Sequence, residues 1–310
     1  MRSSKAPCAQ LNGRNTDMFG GARAAVAASL LTVGLAVSIA PDAAAAPSYR
    51  EYVALGDSWA ADVSLVNLDA SQVPVGCAQS RSNYPKQVAA ALGVSTFRDA
   101  TCGQATTKEM TAPQSLLVPG INAPQFDRLT PSTDLVTLGI GGNDAGLADV
   151  VATCVTFGAS HCTDQWVVGG VDRMSALIDA GKGKVIDVLQ GIRARSPQAR
   201  VLVIGYLAGL PTNSGCAAQS GIPDSDAAWV GRKLVELNDM LIAAAAATGA
   251  EYVDTYSGSV GHDACQAPGV RWVEGTMPMS STPQGVAVPF HPNQLGANHQ
   301  AWAVKNALGL

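Results

Sequence analysis

The chain has 310 residues and a formal net charge of −4, and 47% of its residues are hydrophobic while 14% are charged. This composition provides enough apolar surface for a large core and excludes an intrinsically disordered chain. The basic residues are scattered rather than clustered, so we expect no nucleic-acid partner. The length allows one large domain or two small ones.

The N-terminal segment has the pattern of a secretory signal peptide. Scattered basic residues precede the apolar run "AAVAASLLTVGLAVSIA", and small residues follow it in "PDAAAAP". Cleavage near Ala45 or Ala46 would remove residues 1–46 and leave residues 47–310 as the mature chain. The apolar run is short for a membrane anchor, no arginine pair precedes it, and Cys8 lies before it rather than at the cleavage site. We expect a secreted protein, released outside the cell or held in the envelope.

The cysteines indicate disulfide bonds. Of the seven cysteines, Cys8 leaves with the signal peptide, so an even number remains in an exported chain. Many pairings of the remaining cysteines are possible, and the sequential one is the simplest: Cys77 with Cys102, Cys154 with Cys162, and Cys216 with Cys265. A zinc site would need closely spaced Cys-x-x-Cys pairs, which the sequence lacks.

Short apolar, β-rich runs alternate with longer helical patterns along the mature chain. The predicted strands are Tyr52–Leu55, Phe97–Ala100, Leu135–Ile140, Arg200–Gly205 and Glu251–Asp254. The predicted helices are the segment that Asn83 caps and Gly93 ends, Asp172–Arg195, Asp226–Thr248 and Pro292–Leu308. Continuous apolar runs suit strands that are buried on both faces of a parallel sheet. The alternation predicts an α/β fold with three layers, α/β/α, around a parallel five-stranded sheet.

A candidate site residue follows each of the first three predicted strands, at the point where the strand ends. Ser58 follows the first strand in "GDS", Gly103 follows the second in "TCGQAT", and Asn143 follows the third in "GGND". His291 lies immediately before the last predicted helix, in "PFHPN". Ligands of open α/β sheets bind beyond the carboxyl ends of the strands, so we expect these residues to meet there.

Acyl transfer needs residues of these types. A serine hydroxyl is a weak nucleophile that requires an adjacent base, and histidine takes and returns a proton near neutral pH. The tetrahedral intermediate carries an oxyanion that requires preorganised hydrogen-bond donors. We therefore expect Ser58 to be the nucleophile and His291 the general base and acid. The backbone N–H groups of Ser58 and Gly103 and the side chain of Asn143 are the expected oxyanion donors.

This ordered set of residues resembles the SGNH hydrolase superfamily, also called the GDSL esterases and lipases. The resemblance extends from Tyr52 to the last helix and rests on Ser58, Gly103, Asn143 and His291. It implies a flavodoxin-like sheet and a reaction that needs neither a metal ion nor a cofactor. The cysteine pattern further resembles secreted bacterial esterases and phospholipases of this superfamily.

One position departs from the family pattern. Members often have an aspartate three residues before the histidine, where this chain has Val288, and no carboxylate occurs between Gly275 and His291. Some secreted members resemble Ser–His dyads in which a main-chain carbonyl accepts the histidine Nδ1–H. We expect the carbonyl of Val288 to be that acceptor, with a distant acid as the alternative.

The sequence therefore predicts a secreted serine esterase or lipase that acts on small-molecule or lipid acyl esters, glycolipids included, in transient contact with a lipid surface or the cell envelope. The alternatives are a carbohydrate acetyl esterase, an envelope acyltransferase and a catalytically inactive envelope-binding protein. Asp57 is expected to support the turn at the nucleophile, and Trp59 either lines the acyl site or covers the sheet edge. The long Gly- and Pro-rich loop at Ala267–Pro289 is expected to contribute to function.

Overall fold

The computed structural model describes residues 48–61, 64–118, 120–281 and 284–310. The predicted signal peptide at residues 1–46 lies outside these ranges and stays a prediction. No helix in the described part of the chain is both long enough and apolar enough to cross a membrane.

A parallel five-stranded sheet lies at the centre of the fold. Its strands in chain order are β1 (Glu51–Gly56), β2 (Thr96–Asp99), β3 (Leu135–Gly139), β4 (Arg200–Ile204) and β5 (Glu251–Val253). Their spatial order is β2-β1-β3-β4-β5, and every neighbouring pair is parallel. This is the flavodoxin-like order, and it confirms the three-layer α/β/α fold expected from the sequence.

Helices cover both faces of the sheet. They are α1 (Ser58–Ala61), α2 (Tyr84–Leu92), α3 (Leu147–Cys154), α4 (Thr163–Trp166), α5 (Arg173–Arg195), α6 (Ala217–Ser220), α7 (Asp224–Thr248) and α8 (Gln294–Leu308). Short 3-10 helices occur at Val75–Cys77, Thr107–Met110, Gln125–Arg128 and Ser257–Ser259. Antiparallel hairpins pair Gln114–Ser115 with Ile121–Asn122, Val167–Val168 with Val171–Asp172, and Met279–Ser281 with Gln284–Val286. The last hairpin lies within the long loop expected from the sequence.

The strands are apolar throughout because both of their faces are covered. Tyr52 and Ala54 of β1 pack with α2 and α8 in one core, whereas Val53 and Leu55 pack with α5 and α7 in the other. Successive residues of a strand point to opposite faces, so each core receives alternate side chains. The resulting double burial explains why the strands could be predicted from continuous apolar runs.

Capping residues determine where two of the helices begin and end. The Asn83 side chain accepts the N–H of Lys86 at 3.2 Å, and Gly93 ends α2 in the left-handed conformation with φ of 61°, as expected. The last helix begins at Gln294 rather than at Pro292. The reason is that the Asn293 side chain accepts the first free N–H groups of α8 and is its N-cap.

The sequential disulfide pairing is confirmed. The bonds join Cys77 to Cys102, Cys154 to Cys162 and Cys216 to Cys265. The first of them lies at the end of β2, where the Cys102 N–H donates to the Gly56 carbonyl at 3.1 Å. This disulfide therefore ties the segment that follows β2 to the carboxyl edge of the sheet.

Candidate active site

Ser58 lies at the first position of α1, on a tight turn that follows β1. The turn is closed by the Asp57 N–H, which donates to the Gly139 carbonyl at 2.9 Å, and by the Asp57 side chain, which accepts the Trp59 N–H at 2.9 Å. Gly56 precedes the turn at a position where a Cβ atom would lie 2.7 Å from the Gly139 oxygen, so a larger residue does not fit. The expected role of Asp57 in supporting this turn is confirmed.

His291 contacts Ser58 directly. Its Nε2 lies 2.7 Å from the Ser58 Oγ, and its Nδ1 lies 2.8 Å from the Pro289 carbonyl oxygen. Because a carbonyl only accepts hydrogen bonds, Nδ1 carries the proton and Nε2 is the acceptor for the serine hydroxyl. Burial lowers the pKa of His291 below its ordinary value, and the bond to Pro289 opposes this only in part.

The predicted acceptor for the His291 Nδ1–H was wrong by one residue. The Val288 carbonyl accepts the backbone N–H of His291 at 3.2 Å and is not the partner of the ring. Phe290 adopts the left-handed conformation with φ of 57°, and the carbonyl that faces the ring belongs to Pro289. The prediction that a main-chain carbonyl takes the place of an acid is otherwise in accord with this geometry.

A second segment braces the backbone of His291. The Glu274 N–H donates to the His291 carbonyl at 3.0 Å, and the Phe290 N–H donates to the Glu274 carbonyl at 3.1 Å. The buried Glu274 carboxylate pairs with Arg271 and accepts from the Asn293 side chain at 2.8 Å. This carboxylate therefore holds the start of α8 and does not contact the His291 ring.

The oxyanion donors agree with the sequence only in part. The Ser58 N–H has no acceptor among the described residues. The Asn143 side chain donates one of its two N–H groups to the Ala105 carbonyl at 2.9 Å, which leaves the other available to the oxyanion. The Gly103 N–H donates to the Cys77 carbonyl at 2.9 Å. Its predicted role as an oxyanion donor is therefore wrong for this structure, because the adjacent disulfide brings the Cys77 carbonyl against Gly103.

Tyr206 is a site residue that the sequence analysis missed. Its hydroxyl donates to the buried Asp57 carboxylate and accepts the Gly142 N–H at 2.8 Å, so it joins the Ser58 turn to the segment that carries Asn143. Burial raises the pKa of Asp57 to about 7, although the bonds from Tyr206 and Trp59 oppose this shift. Tyr206 follows β4 at the same sheet edge, so the rule that found Ser58 and Asn143 would also have found it.

A mostly apolar cavity of about 410 Å³ opens beside Ser58 and His291. Trp59 lines this cavity, so of the two positions expected for Trp59 the structure shows the one at the acyl site. The apolar part of the lining includes Leu147, Val151, Val155, Leu210, Val230, Leu234 and Phe290. The site thus combines a hydrogen-bonded serine and histidine with a space suited to a hydrocarbon chain.

The other described histidines lie away from Ser58. His161 faces Asp226, while His262 stacks against Trp272 with ring centroids 3.9 Å apart and His299 lies tilted against the same ring at 4.6 Å. Within the described ranges, no group of three or more His, Cys, Asp or Glu side chains is arranged to hold a metal ion.

Known proteins resemble this chain over most of its length. The model of the GDSL-like Lipase/Acylhydrolase family matches residues 54–298. A protein named Lipase 2 from Streptomyces coelicolor is 36% identical over 295 residues, which cover 92% of this chain and 95% of that protein. A protein named Lipase from Streptomyces rimosus is 30% identical over 293 residues, which cover 92% of this chain and 97% of that protein.

Solved structures show the same fold. The crystal structure of phospholipase A1 from Streptomyces albidoflavus superposes with a TM-score of 0.64 at 26% identity and covers 83% of this chain and 99% of that one. That of an extracellular lipase from Streptomyces rimosus superposes with a TM-score of 0.63 at 26% identity and the same coverage. The chain belongs to the GDSL-like lipase/acylhydrolase family, within the SGNH hydrolases, and is an enzyme of the lipase/esterase class.

Proposed function

We propose that the protein is a secreted lipase that hydrolyses lipid esters with medium or long acyl chains through a Ser58–His291 dyad. The observation that carries this proposal is the 2.7 Å contact between the Ser58 Oγ and the His291 Nε2 beside an apolar cavity. Export is supported by the signal-peptide pattern and by the likeness to an extracellular lipase. A lipid substrate is supported by the relatives that are named as lipases and a phospholipase.

The first step is attack of the Ser58 Oγ on the ester carbonyl carbon. The hydroxyl proton passes to the His291 Nε2 as the new C–O bond forms. The Pro289 carbonyl accepts the Nδ1–H, which keeps Nε2 free for the proton and places partial negative charge beside the imidazolium. The Pro289 carbonyl thus orients the His291 ring and fixes its tautomer, as an aspartate does in a catalytic triad.

The oxyanion of the tetrahedral intermediate is held by the Ser58 N–H and the free N–H of the Asn143 side chain. Both groups flank the cavity where the substrate carbonyl would lie. His291 then returns its proton to the leaving alcohol, and the acyl group stays on Ser58. A water molecule that transfers its proton to His291 attacks this acyl-enzyme, which releases the fatty acid and restores the serine.

The shape of the site favours lipid esters over acetyl esters of carbohydrates. An acetyl group would leave most of a 410 Å³ apolar cavity unfilled, whereas a longer chain would bury its methylene groups there. Each buried methylene contributes about 0.8 kcal/mol, which corresponds to about a fourfold gain in kcat/KM for each methylene that the cavity accepts. For this reason we favour the lipase over the carbohydrate acetyl esterase as the function of this site.

The chain-length profile tests the substrate class. On p-nitrophenyl esters from acetate to palmitate, we expect kcat/KM to rise with acyl length and to peak well beyond acetate. In Val151→Trp the larger side chain narrows the cavity, so the rate on long esters is expected to fall more than the rate on acetate. Ile242→Trp, on the exposed face of α7, is the matched control and should keep the native profile. An optimum at acetate would contradict the proposal.

The pH dependence should reflect the lowered pKa of His291. Only the neutral ring accepts the serine proton, so kcat/KM is expected to be constant at neutral pH and to fall as the ring becomes protonated. Because burial lowers the pKa below its ordinary value of 6.5, the midpoint of this fall should lie below pH 6.5. The measurement is kcat/KM on a soluble ester between pH 4 and 8, with Asp57→Asn as the control because the pKa of Asp57 is raised to about 7. A midpoint above 6.5 that persists in this variant would contradict the geometry.

Tyr206 is expected to act as a positioning residue. Tyr206→Phe removes the hydroxyl that joins Asp57 to the Gly142 N–H, so kcat should fall about tenfold with little change in KM. The matched control is Tyr52→Phe, which removes a buried hydroxyl that bonds Thr137 at 2.7 Å in the core.

Tyr52→Phe should lose about 1 kcal/mol of unfolding free energy, since it loses one buried hydrogen bond, and Tyr206→Phe should lose more, since it loses two. Only Tyr206→Phe should lower kcat. Equal kcat values for the two variants would show that Tyr206 stabilises the fold without positioning the site.

A further inference from the structure

Exposed apolar side chains occur in three segments, two of which also contribute residues to the lining of the cavity. They form what we call the apolar collar, which consists of Leu65, Val66, Phe157, Met277, Met279 and Val286. Phe157 is 76% exposed, Met277 71% and Met279 66%. Single exposed apolar residues are ordinary on protein surfaces, whereas a contiguous group at the mouth of a binding site marks an interaction surface.

The first half of the collar is held together around Ser220 and Gly221. The Phe157 N–H donates to the Gly221 carbonyl at 2.8 Å, and a Cβ atom on Gly221 would lie 3.0 Å from the Phe157 ring. The hydroxyl of Thr276 donates to the Ser220 carbonyl. Met277, the next residue, therefore lies on the same side of the site as Phe157.

The second half continues through the hairpin of the long loop. Met279 pairs with Val286 across the hairpin, and the Val286 carbonyl accepts the Leu65 N–H at 2.8 Å. Val66 follows Leu65 and is 71% exposed. These bonds link the segment that follows α3, through Ser220 and Gly221, to the hairpin and to the loop that follows α1.

The collar is continuous with the cavity. Val155, Thr276 and Val288 line the cavity, and each lies one or two positions from a collar residue. The apolar lining beside Ser58 and His291 therefore extends outward onto the exposed surface.

Two of the three collar segments can leave water without burying a charge, and the exposed Arg81, whose N–H donates to the Asn67 carbonyl, lies next to the third. Residues 275–290 contain no Asp, Glu, Lys or Arg, and neither do residues 154–160 around Phe157. Burying an unpaired charged side chain is costly, so an uncharged rim is what docking on a hydrocarbon-rich surface requires. It also means that the attraction would be apolar rather than electrostatic, and would not be screened by salt.

We propose that the apolar collar docks on the lipid–water interface, so that an acyl chain passes from the lipid aggregate into the cavity without crossing water. This inference rests on the proposed lipase function. A second copy of the chain on the collar would close the mouth of the cavity to substrate. A lipid surface on the collar would instead deliver substrate to the cavity. The collar contains no charged residue that would need an anionic lipid as its partner. A surface of zwitterionic lipid is therefore sufficient for docking.

Vesicle binding tests this proposal without any ester bond to cleave. Vesicles of ether-linked phosphatidylcholine are mixed with the native protein, and the bound fraction is measured by flotation at low and high salt. Binding is expected at both salt concentrations. Met277→Ser/Met279→Ser should weaken the partition coefficient at least about tenfold, since two exposed apolar side chains are removed. The control, Ile242→Ser/Leu310→Ser, removes two exposed apolar side chains outside the collar and should bind like the native protein.

Circular dichroism and thermal melting verify that both double variants are folded. Absence of native binding, equal weakening in the two variants, or binding that salt abolishes would overturn the proposal. So would a native dimer that the collar variant dissociates, which light scattering would detect, because the occupant would then be a second copy. Hydrolysis of soluble p-nitrophenyl butyrate by the native protein is measured in parallel. No hydrolysis together with collar-dependent vesicle binding would contradict the lipase function and leave the docking surface in place.

Discussion

Ser58→Ala is expected to lower kcat for ester hydrolysis by about 10⁴- to 10⁶-fold, because the variant has no group that can form the acyl-enzyme. The residual rate would come from substrate binding and the oxyanion donors alone. His291→Ala should lower kcat to a similar level, and the double variant should be little worse than either single one. Such non-additivity is expected of two residues that act as one unit, here joined by a 2.7 Å hydrogen bond.

The matched control for this prediction is Ser196→Ala. Ser196 is a buried serine that lies before β4, at the opposite edge of the sheet, where its hydroxyl donates to the Thr130 carbonyl at 2.8 Å. This variant should keep the native kcat even if it melts at a lower temperature. Native-like activity in Ser58→Ala would show that another residue is the nucleophile.

Asn143→Ala is expected to lower kcat about 10²- to 10³-fold with little change in KM. The free N–H of the Asn143 side chain is assigned to the oxyanion, which exists only in the transition state and the intermediate, so its loss should spare the ground-state complex. Asn143→Asp keeps the shape but replaces the donor by an acceptor, and it should be at least as slow. Steady-state kinetics on a soluble ester separate kcat from KM.

Asn83→Ala is the control for the structural part of this effect. Asn83 is a buried asparagine, and it caps α2 through its side chain. Its replacement removes this cap and the 2.9 Å bond from Asn83 to the buried Asp99 carboxylate, so it should cost more than about 1 kcal/mol of unfolding free energy without changing kcat. A change in KM alone for Asn143→Ala would mean that this residue binds the substrate rather than the oxyanion.

Much of this fold could be predicted from the sequence because its determinants are local. The strands of the central sheet are buried on both faces, which makes each a continuous apolar run, and Asn83 and Gly93 mark the ends of α2 by their own backbone preferences. Ser58 and Asn143 were found because parallel strands bring the residues at their carboxyl ends to one edge.

The details that the sequence did not predict depend on contacts between distant segments. The Gly103 N–H is occupied because a disulfide brings Cys77 against it, and no pattern around Gly103 shows this. The acceptor for the His291 ring is Pro289 rather than Val288 because of the local backbone at Phe290. The apolar collar likewise joins three segments that are far apart in the sequence.

The central claim is that His291 makes Ser58 nucleophilic at the mouth of the apolar cavity. Its most direct test is peptide mass spectrometry of the folded, disulfide-bonded protein after inactivation with diisopropyl fluorophosphate. We predict one phosphoryl group for each molecule, on the peptide that contains Ser58, with loss of activity in proportion to labelling and much slower labelling in His291→Ala. A label on a different residue, or full ester hydrolysis by a protein that takes up no label, would contradict the claim.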